Sequence, residues 1–221
     1  MKNEQETSPQ PIPESLLSQE AFQQARQMPW KVRLELLRWL QWLPNLMALY
    51  FSGAEVGVGW RFYGMPIWQV HRDSSVEIGE RLNLRASVAS NPLGVDRPVI
   101  ISTRRVGAQM TIGDDFGMTG GSIVCDQSIT IGNRVTVGAN SLIVDTDFHP
   151  LEPDKRLAQP LAGNAEPVTI GDDVFIGMRC MILKGAQIGQ GSVIGAGSVV
   201  TGHIPDGVIA VGNPARVLRQ L

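Results

Sequence analysis

A chain of 221 residues with 19 Lys and Arg against 21 Asp and Glu carries a formal charge of −2 and leaves no basic footprint for nucleic acid. Two cysteines, Cys125 and Cys180, are too few for a disulfide framework and suit a reducing compartment. No basic segment with a short apolar run opens the chain, and the longest apolar stretch, 39–51, is interrupted by Gln41, Pro44 and Asn45 and falls short of the ~20 residues of a membrane span. A cytoplasmic protein is expected.

Residues 1–13 are polar, contain Pro9, Pro11 and Pro13, and read as a disordered lead-in. Residues 14–52 read as a helical segment, with a first helix over 14–27 and a second from near Trp30 that Pro44 should end or kink. The second helix sets Trp30, Leu34, Leu37, Trp39, Leu40 and Leu43 among Lys31, Arg33, Glu35 and Arg38. Two readings stay open for residues 30–51. They cover an open end of the following domain or a neighbouring subunit, or they touch the inner face of a membrane peripherally.

Residues 53–212 follow a period of six. Ile170, Ile176, Ile182, Ile188, Ile194 and Val200 recur at that spacing, and glycine follows four of them. Helices repeat near 3.6 and strands near 2, so the pattern predicts a mainly β protein, a parallel β-helix of hexapeptide repeats. Cys180, Ala186, Ser192 and Ser198 fall two positions before successive aliphatics, where an inside corner admits only small residues. Upstream, Ile78, Leu84, Ile100, Val106, Ile112, Met118 and Val124 are read as hexad positions, with 89–98 as an inserted turn. After one extra residue the count resumes at Ile131, Val137 and Ile143. It then stops for a polar, proline-containing loop over 146–167, and residues 213–221 read as a C-terminal tail. A loop of that length inside a regular solenoid is expected to be functional and can reach a neighbouring subunit.

The chain has three histidines, and His149 lies at the root of that loop in Asp145-Thr146-Asp147-Phe148-His149-Pro150. A histidine titrates near neutrality and can take a proton from an attacking hydroxyl. Asp145 or Asp147 is expected to hold its ring in one tautomer. His71 and His203 read as structural or surface residues.

The run Ile188-Gly189-Gln190-Gly191-Ser192-Val193-Ile194-Gly195-Ala196-Gly197-Ser198-Val199-Val200-Thr201, with Ile204-Pro205 and Val211-Gly212-Asn213-Pro214-Ala215-Arg216-Val217, resembles the C-terminal half of hexapeptide-repeat acyltransferases. Closest in character are the maltose, galactoside and nodulation-type sugar O-acetyltransferases and their polysaccharide-modifying relatives, and the resemblance extends over about 75–221. It implies a left-handed β-helix, a homotrimer with active sites between subunits, and acetyl-CoA as co-substrate without a metal. His149 would then be the general base, and the amide of Met178, after Gly177, would polarise the thioester oxygen. Ala196 and Thr201 would lie along the pantetheine arm, and Arg216 would reach a phosphate of the coenzyme. The reaction implied is O-acetylation of a sugar or cell-surface polysaccharide precursor, the alternative being a serine or amino-sugar N-/O-acyltransferase.

Three departures from the family pattern bear on the acceptor. Gly202 stands where a lysine often follows Thr201, and 116–122 lacks an acceptor-binding asparagine, leaving Thr119, Ser122 and Asn140 as polar candidates. The Trp-rich helices favour a large or lipid-linked glycan. A γ-type carbonic anhydrase shares the left-handed fold but needs three histidine ligands, two closely spaced, which His71, His149 and His203 do not offer. A non-enzymatic scaffold is disfavoured by the intact His149 loop.

Overall fold

The computed structural model describes residues 26–221, so the lead-in and most of the helix expected over 14–27 lie outside the described residues. Two helices, Pro29–Leu40 and Trp42–Ser52, precede the first strand. The break falls at Gln41 rather than at Pro44. Pro44 sits in the first turn of the second helix, where a missing N–H leaves no hydrogen bond unmade. Gly53 ends that helix in the left-handed region, at φ 77°. The helices cover the first coil. Leu49 is buried, Asn45 Nδ2 donates to Gly64 O (3.1 Å), and Trp42 stacks on Trp60, which stacks on Phe62.

The rest of the chain winds into three sheets of seven, eight and six strands in which neighbours are three strands apart in sequence, except the last strand, which pairs with the one before it. That order means three strands per coil, the expected β-helix. Sheet A runs from Glu55–Val56 to His203–Ile204, sheet B from Arg61–Tyr63 to Ala215–Gln220, and sheet C from Ile67–Gln69 to Val199–Val200. The period-six aliphatics stack in register inside: Ile170 on Ile188, Ile176 on Ile194 and Ile182 on Val200, each at most 3% exposed. Burying each such side chain contributes about 1.5–3 kcal/mol. Cys180, Ala186, Ser192 and Ser198 are fully buried at the inside corners.

Upstream the register differs from the expected one. Ile101 and Ile123, not Ile100 and Val124, pair in the core, and Val106 is 73% exposed at a corner. The corner between Ile100–Thr103 and Gln109–Ile112 spans five residues, whereas that between Val199–Val200 and His203–Ile204 spans two. A count of six carried back through the longer corner slides out of phase. The expected tail is also structured. Ala215–Gln220 pairs antiparallel with Val208–Gly212 and closes sheet B.

Ile112-Gly113-Asp114, Ile131-Gly132-Asn133 and Ile170-Gly171-Asp172 repeat one pattern, whose cause lies at the corner between sheets A and B. Asp114, Asn133 and Asp172 each turn a side-chain oxygen back to accept the N–H of the coil before (Glu80, Asp114 and Asn133; 2.8–2.9 Å). A Cβ on Gly113 would stand 2.6 Å from Asn133 Oδ1, so only glycine lets the coils approach there. Alongside, Arg81 pairs with Asp115 and Arg134 with Asp173, both through bidentate contacts of 2.6 and 2.8 Å.

Candidate active site

The long loop leaves the corner between sheets C and A after Leu142–Val144 and returns at Val168–Ile170. Its root is closed by a bridge between Thr146 and Ala165, by Asp147 N donating to Asn164 O (2.9 Å), and by Glu166 N donating to Asp145 O (2.8 Å). The Asp145 carboxylate is fully buried and accepts the N–H groups of Asp126, Gln127 and Ser128 at 2.7–2.8 Å. It fastens the loop root to the preceding coil. Burial first, then Asp145 beside it, raises the Cys125 thiol above its ordinary range, which keeps it protonated. The Asp147 carboxylate stands 3.2 Å from Lys184 Nζ, which also donates to Glu166 (2.8 Å). Those two acids, Glu166 foremost, hold the Lys184 ammonium above its usual pKa.

Neither aspartate fills the expected role beside His149. The exposed imidazole instead turns Nδ1 to the carbonyl oxygen of Pro160 across the loop. A carbonyl can only accept, so Nδ1 carries a proton, and in the neutral ring the lone pair falls on Nε2. That is the tautomer a general base needs. Phe148, just before, has a φ of 63°, a conformation that costs a non-glycine residue about 1–2 kcal/mol. It is held by its N–H to Thr146 Oγ1 (3.1 Å) and by the Arg104 guanidinium 4.5 Å from its ring centroid.

Gly177 and Met178 turn the corner between sheets B and C, with Ala196 directly below. A Cβ on Gly177 would lie 2.6 Å from Ala196 N. Among the described residues the Met178 and Ala196 amides donate to no backbone carbonyl, leaving two N–H groups free at a partly exposed edge. Gly195 abuts Val211, and Val211 pairs with Arg216, whose side chain is exposed, so Arg216 continues the same edge. Thr201 lies elsewhere. It follows Val199–Val200 at the corner between sheets C and A, two coils below the His149 loop. The expected site residues therefore divide between two vertices of the triangular coil. Hollows of about 480 and 490 Å³ lie beside Glu55, Glu77 and Thr111 on sheet A and beside Arg61 and Arg85 on sheet B, and neither includes His149 or Met178.

Thr119, Ser122 and Asn140 are buried. Asn140 Oδ1 accepts Asp96 N (2.8 Å), and Thr119 Oγ1 accepts from Asn91 Nδ2 (3.4 Å), so both seat the inserted turn, which extends Asp96 to Arg179 (3.4 Å). Ser122 N donates to Ser141 O (3.1 Å). Asn140 Oδ1 and Thr119 Oγ1 are thus engaged in holding the turn, and the Ser122 main chain in the ladder, rather than offered to an acceptor. His71 Nδ1 accepts Asp73 N–H (3.1 Å) in a turn, and His203 is exposed on the last strand of sheet A. Among the described residues no three His, Cys, Asp or Glu side chains gather as a metal site. The sequence reading missed Pro160, Lys184 and the Arg104, Arg105 and Asp126 group. A main-chain carbonyl has no sequence signature, and the two arginines sat in a stretch assigned to a hexad.

The family described as "Bacterial transferase hexapeptide (six repeats)" matches residues 167–202. The chain is 38% identical over 151 residues to a galactoside O-acetyltransferase of Escherichia coli, covering 67% of this chain and 71% of that one. A galactoside O-acetyltransferase of Lactococcus lactis is 43% identical over 109 residues, 48% of this chain and 49% of that one. The chain spans 58% and 44% of the length of two fungal relatives that it matches. In fold it is similar to an N-acyltransferase from Bacillus cereus in complex with dTDP and coenzyme A, with a TM-score of 0.58 at 16% identity over 80% of this chain and 88% of that one. Repeat, topology and relatives agree: the chain is a left-handed parallel β-helix and belongs to the hexapeptide-repeat acyltransferase family.

Proposed function

We propose that the protein is an acetyl-CoA-dependent O-acetyltransferase acting on a hydroxyl of a sugar or polysaccharide precursor, with His149 as general base. The observation that carries the reading is the Nδ1 contact with Pro160, which leaves Nε2 free to accept a proton. The acceptor hydroxyl gives its proton to Nε2 as its oxygen attacks the thioester carbonyl carbon. The O–C bond forms, the C–S bond breaks, and the proton passes on to the departing thiolate. The free amide of Met178 faces the charge that develops on the carbonyl oxygen, a contact worth about 2.7–4 kcal/mol where such donors have been removed. Ala196 and Thr201 line the pantetheine arm, and Arg216 pairs with a phosphate. Asp145 and Asp147 support the loop rather than the proton transfer.

The division of these residues between two vertices supports a site completed by a neighbouring subunit, in a homotrimer whose loop reaches the next chain's Met178 edge. Thr119 and Asn140 shape the acceptor side indirectly, through the inserted turn they seat, and Ser122 through the strand beside them. The helices Pro29–Leu40 and Trp42–Ser52 expose Trp30, Trp39, Leu40, Tyr50 and Phe51 beside Lys31 and Arg33, which suits peripheral contact with an anionic lipid surface. The deciding experiment follows acetyl-CoA consumption against a panel of sugars, nucleotide-sugars, amino-sugars and serine. Turnover of hydroxyl acceptors alone supports the reading. Preference for an amine, or none for any acceptor, overturns it.

A further inference from the structure

We propose that Arg105 and Asp126 are positioning residues that hold His149 in its base tautomer; this rests on the reading of His149 as the base. Asp126 sits at the corner between sheets C and A one coil before the loop, its side chain fully buried. Its carboxylate lies 3.0 Å from Arg105 Nε and 3.6 Å from Arg104 Nε, and it accepts Thr146 Oγ1 at 2.9 Å. One buried charge thus compensates two adjacent cations that would otherwise repel, and it orients both.

The two guanidiniums reach opposite limbs of the loop. Arg104 lies over the Phe148 ring on the limb that carries His149. Arg105 Nη2 donates to the carbonyls of Gly163 (2.8 Å) and Leu161 (3.2 Å), on the limb that carries Pro160. The His149–Pro160 contact spans these limbs, so its geometry is set by what fixes each to the corner. The loop root is closed without Arg105, through Thr146, Asp147 and Glu166. Beyond the root Gly163 packs on the Phe148–His149 backbone, but the stretch carrying Pro160 has little else to hold it: the helix Pro153–Ala158 buries no residue, and Leu157 and Leu161 are exposed. Hydrogen bonds from a charged donor are about twice as strong as neutral ones, and two of them on residues 161 and 163 fix the Pro160 carbonyl immediately before them. Losing them frees the carbonyl from Nδ1. The imidazole then redistributes its proton toward Nε2, the atom that must be bare.

The test reads the tautomer directly, by ¹⁵N NMR of the histidine side chains in the full chain. Three histidines make the spectrum assignable by single His substitutions. In the parent protein His149 is expected as the Nδ1–H form. If it is not, the reading of His149 fails independently of this proposal. In Arg105→Met the Nε2–H form is expected to gain the majority, with Arg105→Lys between them and the thermal transition retained. An unchanged tautomer in Arg105→Met overturns the proposal, and Arg105→Lys carries the same test should the methionine variant fail to fold. With acetyl-CoA and a methyl hexopyranoside, Arg105→Met should lower kcat about 10- to 100-fold, the scale of a sub-ångström to 1 Å misplacement, and leave KM for acetyl-CoA unchanged. Added to His149→Ala it should cost nothing further. A full additional loss in that double variant would assign Arg105 a role apart from His149 and also overturn the proposal.

Discussion

His149 Nδ1 and the Pro160 carbonyl oxygen face each other across eleven residues of one loop, and this contact selects the proton-accepting form of the ring. A carboxylate in that place would also orient the ring, but it would stabilise the imidazolium far more. The carbonyl orients without adding a full charge. His149→Ala is therefore expected to lower turnover by about 10²–10⁴, the usual contribution of a general base. The side chain is exposed, so the thermal transition should not move. Steady-state kinetics beside a melting curve checks both, and near-parental turnover would remove His149 from the reaction.

Met178, Ala196 and Arg216 share one vertex of the coil while His149 and Thr201 share another. If neighbouring subunits complete each site, two inactive variants should repair one another. His149→Ala spoils one vertex, and Ala196→Trp blocks the other at an exposed position. Co-expressed at equal levels, they should form mixed trimers in which about a quarter of the sites combine two intact vertices. Recovery to that level over either parent is the expected result. No recovery, with mixed oligomers demonstrated by mass, would place each site within one chain.

Arg216 lies exposed on the terminal strand, beyond Val211 and the Ala196 edge. A phosphate contact there is charge-assisted but wet, so Arg216→Ala should raise KM for acetyl-CoA by about 3- to 10-fold at low salt and by less at high salt. The same substitution should leave KM for a pantetheine thioester lacking the phosphates unchanged. Equal losses for both donors would count against the contact.

Much of the fold was legible because each hexad states its own phase. Ile170 to Val200 occupy the core as read, and Ser192 and Ser198 close the inside corners. Reading failed where corner length varies without a signal, so that Val106 landed in solvent while Ile101 and Ile123 took the core. The site was legible only as a break in the count. Asp145 and Asp147 looked like partners for His149 because they are near in sequence, yet one is consumed by three backbone amides and the other by Lys184. The group that does hold the ring is a main-chain oxygen, whose placement depends on Arg105 from an earlier coil.

The ladder at the corner between sheets A and B makes a pH prediction. The carboxyls of Asp115 and Asp173 are held below their ordinary value of 3.8, each chiefly by hydrogen bonds from its arginine. A folded-state pKa below the unfolded one gives stability that is present above the unfolded value and is lost as pH falls through the folded one. The melting temperature should therefore hold from pH 7 to about 5 and decline below about 4. These pairs are exposed, so each effect is small and screened by salt. Asp173→Asn should flatten the acid limb slightly while lowering stability at neutral pH, and an unchanged limb would assign acid lability elsewhere.

The helices before the β-helix pose a burial problem that the first coil does not solve. Leu49 and Asn45 face inward, yet Trp39, Leu40, Tyr50 and Phe51 are each more than two-thirds exposed. The one carboxylate among these helical residues, Glu35, is tied to Arg38 and Tyr63, while Lys31 and Arg33 stay exposed. No helix of the described residues is long and apolar enough to cross a membrane. Aromatic side chains beside bases that pair with no acid among the described residues instead match the interface of an anionic bilayer, where apolar burial and charge attraction add. The protein should co-sediment with vesicles of mixed phosphatidylcholine and phosphatidylglycerol more than with phosphatidylcholine alone. Trp39→Glu with Phe51→Glu should reduce binding at least about tenfold, since each buried apolar side chain contributes about 1.5–3 kcal/mol. If the double variant binds vesicles as before, or changes the oligomeric state while no vesicle binds the parent, the apolar face belongs to another subunit.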